Sequence, residues 1–68
     1  MVSRMLYWAN AIAEDGTGLF TYEGCLNLSE AISIFDGWNK CGYRIKEAWV
    51  STYENGKETR VWQSIYTE

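Results

Sequence analysis

The sequence predicts an α+β fold of order ββαββ: two hairpins forming one four-stranded antiparallel sheet, with a single helix packed on one face. Three observations carry this. Asp15-Gly16 and Asn55-Gly56 each sit between stretches rich in apolar residues, the pattern of a tight hairpin turn. Between the two hairpins, Asn27-Leu28-Ser29-Glu30 opens a run whose apolar residues recur at helical spacing.

The first strand is read as Met5 to Glu14, where Met5, Tyr7, Ala9, Ala11 and Ala13 alternate with Leu6, Trp8, Asn10 and Ile12. If Asp15 and Gly16 form the whole turn, Leu19 to Glu23 returns antiparallel, with Ala11 opposite Phe20 and Ala9 opposite Tyr22. The small alanine side leaves room for the helix to approach closely. In the helix, the Asn27 side chain is placed to accept from the Glu30 N–H, and the Glu30 carboxylate to reach back to Asn27. Leu28, Ala31, Ile32, Ile34, Phe35, Trp38 and Cys41 then share one half of the helix. Gly42 suits the residue after a helix end, which sets the span at Leu28 to Cys41. Gly37 has no role in this pattern beyond a kink or a close contact, since inside a helix it costs about 1 kcal/mol against alanine.

Asn55-Gly56 is the strongest local signal, because a type I′ turn needs two positive φ values and this pair supplies them. It joins Tyr43–Tyr53 to Lys57–Tyr66 and sets Glu54 opposite Lys57, Val50 opposite Val61, Trp49 opposite Trp62 and Ile45 opposite Tyr66. One side of this hairpin then carries Ile45, Trp49, Trp62 and Tyr66. The other carries Lys46, Ala48, Val50, Val61 and Ile65. Burying the aromatic side removes more apolar area from water, so the Trp49 and Trp62 side is expected to meet the helix.

At 68 residues the chain is expected to be a single small domain, residues 1–68. Its 47% hydrophobic content, with four Trp and five Tyr, argues for a folded chain over a disordered one. Six basic against nine acidic residues leave a net charge of -3, which argues against a basic nucleic-acid groove and against attachment to anionic membranes. Two cysteines, no histidine and no Cys-x-x-Cys pair give no zinc ligand set. A helix between Cys25 and Cys41 would hold them about 20 Å apart, too far for a disulfide. With thiols expected to be reduced, no leader-like segment and no long apolar run, a cytoplasmic protein off the membrane is expected.

Catalytic chemistry is not expected, and neither is a cofactor. Without histidine there is no ordinary Ser-His or Cys-His pair, and no phosphate-binding glycine loop occurs. Asp15-Gly16-Thr17-Gly18 reads as turn chemistry, and Glu14, Glu23 and Glu47 as solvated carboxylates. Cys25, just ahead of a helix, has no base beside it and reads as structural.

Function is therefore expected to lie in binding. One helix covers one side of a sheet, so the other side needs a partner if it is apolar. The expected surface is Trp8, Ile12, Ala48, Val50, Val61 and Ile65, with Leu6 and Leu19 beside them, closed by a second copy of the chain or by another protein. The alternative turns Trp49, Trp62 and Tyr53 outward, near Arg60, to stack single-stranded nucleic acid.

Overall fold

In the computed structural model, residues 5–65 are described, the last for its backbone alone. The chain runs β1 (Trp8–Ala13), β2 (Gly18–Phe20), α1 (Leu28–Lys40), β3 (Ile45–Glu54) and β4 (Lys57–Ile65). The strands form one antiparallel sheet in the order β2-β1-β3-β4, with α1 packed on it. The two hairpins thus join through β1 and β3, where Ala9 lies opposite Val50 and Ala11 opposite Ala48. Small residues at this central seam let the helix come close, and Ala9, Ala11, Ala31, Ala48 and Val50 are all buried there.

The helix begins as the capping spacing requires. Asn27 is extended, and its side chain accepts from the Glu30 N–H at 2.8 Å. The Glu30 carboxylate reaches one residue further back than expected and accepts from the Leu26 N–H at 3.3 Å. Gly42, at φ +105°, follows the last turn and allows the chain to reverse. Phe35 and Ala31 are the helix's buried centre, with Leu28, Ile32, Ile34 and Trp38 packed around the core. Cys41 departs from expectation: it is the C-cap residue, one past the last helical residue, and stands exposed.

A Cβ at Gly37 would meet nothing within 4 Å, so no close contact accounts for this glycine. Gly37→Ala is therefore expected to stabilise the protein by about 0.5–1 kcal/mol, through lost freedom of the unfolded chain. Chemical denaturation would show it as a raised midpoint with an unchanged slope. Gly24 is the opposite case. An added Cβ would lie 2.6 Å from the Cβ of Leu6, so only glycine lets the β2–α1 connection close against the chain entering β1.

Three departures from regular pairing decide which side chains face the helix. The first turn holds three residues, Glu14-Asp15-Gly16, with the Ala13 N–H bonded to the Thr17 carbonyl at 2.9 Å and Gly16 at φ +93°. That moves β2 by one residue from the expected register: Leu19 lies opposite Ala11 and packs on the core, and Phe20 lies opposite Asn10. Next, a bulge in β3 skips Lys46, bringing Ile45 opposite Ala13 and into the core. In β4, finally, the pairing is as expected from Glu54–Lys57 to Ser51–Arg60 and then skips Val61. Trp62 thus lies opposite Val50, not Trp49, and Trp49 lies opposite Gln63. The expected pairing of Ile45 with Tyr66 falls outside the described residues.

The β4 bulge parts the two tryptophans expected to lie side by side. Trp62 turns to the helix, where its ring stacks on Phe35 with centroids 5.5 Å apart and planes at 19°. Trp49 turns to the opposite face. An unbroken register would have put Val61 under Phe35 in place of the much larger indole, so the bulge gains apolar burial and ring stacking.

Candidate functional site

The sheet face away from the helix is built by strand alternation from residues one step out of register with the core. From β1 come Trp8, Asn10 and Ile12, from β2 Phe20, from β3 Glu47, Trp49, Ser51 and Tyr53, and from β4 Glu58, Arg60 and Gln63. Among the described residues no helix covers this face. Its aromatic residues hold one another in defined orientations. Trp8 meets Tyr53 edge to face with centroids 6.3 Å apart, and the Arg60 guanidinium lies 4.3 Å from the Trp49 ring centroid. Phe20 and Tyr53 are each at least half exposed.

Polar contacts also cross this face. Ser51 is buried, and its hydroxyl donates to the Glu58 carboxylate across the β3–β4 pair. The Asn10 amide donates to the Trp8 carbonyl at 3.1 Å. The Trp49 indole N–H is buried without a hydrogen-bond partner among the described residues, so Trp49 is held by the cation above it and not by its polar tip. Glu47, Glu58 and Arg60 give the face charges of both signs, with carboxylates in the majority.

The expected partner surface divides between the two faces. Trp8 and Ile12 stand on the open face, half-buried. Ala48 and Val50 do not: both are wholly buried beneath the helix, because their β3 positions alternate with Trp49 and share the alanine side of β1. Leu19, partly buried, packs against the core from the same side. Val61 is the bulged residue and is exposed at the β4 edge. The backbone of Ile65 pairs with Glu47, and its side chain lies outside the described residues. Of the aromatic residues in the alternative reading, Trp49 and Tyr53 face outward and Trp62 is held inward by Phe35. Phe20 is the member that sequence reading missed, because the turn holds three residues and not two.

No family model matches the chain, and no curated protein or solved structure is significantly similar to it. What the surface does must be read from its own chemistry.

Among the described residues, the acidic side chains and thiols singled out from the sequence lie as follows. The Asp15 carboxylate accepts from the Thr17 N–H at 2.9 Å, and hydrogen bonding with Thr17 holds its pKa below the usual value, as in an ordinary turn. Among the described residues no group of three potential metal ligands comes together. Cys25 is buried, and desolvation, with the Glu30 carboxylate second, pushes its thiol pKa up, which keeps it protonated at neutral pH. Thiol labelling of the folded protein is expected to modify Cys41 rapidly and Cys25 only after unfolding. Mass spectrometry of peptides after a brief iodoacetamide pulse would check this, and equal labelling of both would contradict the burial of Cys25.

No helix of the described residues is long and apolar enough to cross a membrane.

Proposed function

We propose that this protein is a non-catalytic interaction module that binds through the open sheet face and associates there with a second copy of itself. The carrying observation is that Trp8, Ile12, Phe20, Trp49 and Tyr53 share a face the helix does not cover. Such a patch gains by losing water, and a sheet face is self-complementary about a two-fold axis. Arg60 with Glu47 and Glu58 supplies opposite charges that two copies can match across that axis. Burying the face would also supplement a core that is small for independent stability.

Stacking of single-stranded nucleic acid is the second reading, favoured by the outward Trp49 and Tyr53. Against it stand the Arg60 guanidinium already on the Trp49 ring, two carboxylates on the same face and the overall acidic charge.

Sedimentation velocity over a wide concentration range is expected to show a species of twice 7.9 kDa. Ile12→Glu should return it to the monomer, weakening association on the order of a hundredfold by placing an unpaired charge in the buried patch. A wild-type chain that stays monomeric throughout removes the self-association. Saturable quenching of tryptophan fluorescence by a single-stranded oligonucleotide at low salt would favour stacking instead.

A further inference from the structure

A second surface lies beside α1 and meets the open sheet face only at Phe20. The β2–α1 connection and α1 border an open groove of about 570 Å³. Tyr22 and Phe20 form one wall, held edge to face with centroids 5.1 Å apart, and Ile34 and Trp38 of α1 form the other. Glu23 and Glu30 also line it. Tyr22 is 86% exposed, more than any other large hydrophobic residue described. The strand ends at Phe20 instead, and the Thr21 hydroxyl accepts from the Ala9 N–H at 3.3 Å as the chain swings out.

The charge of this groove selects its occupant. Among the described residues no basic side chain pairs with Glu23 or Glu30, the one ion pair being Lys40 with Asp36. The negative field reaches the groove wall, where Glu30 adds to the upward shift of the Cys25 thiol. Aromatic faces beside uncompensated carboxylates favour an organic cation, through attraction to the ring faces and charge pairing together. Phosphate-bearing ligands are repelled by the same field.

We propose that this groove takes a lysine or arginine side chain from a basic segment of a partner protein, set between the Tyr22 and Trp38 rings and the Glu23 and Glu30 carboxylates. The proposal does not depend on the open face, and the two can fail separately.

The test uses the whole chain, isotope-labelled, titrated at low salt with a short soluble peptide of lysine, glycine and leucine. The control peptide has glutamine in place of lysine. Saturable amide and indole shifts are expected at Glu23, Gly24, Ile34 and Trp38 with the lysine peptide. Tyr22→Ala and Glu23→Gln should each weaken binding about three- to tenfold, and added salt should weaken it further. Glu30→Gln should act like Glu23→Gln while keeping an acceptor for the Leu26 N–H, so the helix start is retained. Because Tyr22 is exposed, Tyr22→Ala should leave the denaturation midpoint unchanged, which separates lost binding from lost folding. Ile12→Glu should bind the peptide normally. Equal binding of the glutamine peptide, shifts confined to the open sheet face, or no saturable shift at all would each overturn the proposal. So would equally tight binding of lysine amide alone, which would mark a small-molecule site.

Discussion

Phe35→Ala is expected to unfold the protein. Phe35 is 2% exposed, stacks on Trp62 at 5.5 Å and leans on Trp38 at 5.8 Å, so its ring is a central contact between α1 and the second hairpin. Truncating a buried phenylalanine costs about 3–5 kcal/mol from lost transfer energy and the cavity left behind. A single core of this size supplies roughly that much net stability, so nothing remains to keep the chain folded. Near-ultraviolet circular dichroism should lose its aromatic signal, and the cooperative denaturant transition should vanish. Phe35→Leu should fold with a lowered midpoint, since it keeps most of the volume. A cooperative transition in Phe35→Ala close to that of the parent would show that the Phe35–Trp62 stack is not needed to hold the helix on the sheet.

The second large effect separates two residues that sequence reading placed on one surface. Val50 is wholly buried between Ala9 and Trp62 in the sheet and lies under the helix, whereas Ile12 is half-buried on the open face. Val50→Asp puts a carboxylate among alanines and rings with no donor to meet it, and is expected to abolish folding. Ile12→Asp places the same charge against water and should keep near-native circular dichroism and a cooperative transition, while losing self-association. Were the two variants to behave alike, the assignment of faces described above would be wrong. Far-ultraviolet circular dichroism, denaturation and sedimentation on the same preparations read all three properties.

That contrast also shows how far residue order alone could reach. The helix was legible because its signals are local: Asn27 caps Glu30, Gly42 ends the last turn, and the apolar residues between them recur at helical spacing. The second hairpin was legible for the same reason. Asn55 at φ 54° and Gly56 at φ 79° adopt the two positive values a type I′ turn requires, and pairing follows the expected register as far as Arg60. The candidate surface was legible only in part. Trp8 and Ile12 were placed on the open face, but Ala48 and Val50 were assigned to it with them, and Phe20 was missed.

The reason is parity. In a strand each added or skipped residue exchanges the two faces, so a single uncounted residue reverses every position beyond it. The Glu14-Asp15-Gly16 turn is one residue longer than Asp15-Gly16 suggests, and no local feature of Arg60-Val61-Trp62 marks Val61 as the residue to be skipped. Residue order by itself determined the elements, their sequence and the Asn55-Gly56 turn, because each depends on groups a few positions apart. Only the tertiary structure decided that Trp62 goes inward and Trp49 outward, since the gain that fixes the bulge comes from Phe35, on a separate element brought against Trp62 by folding.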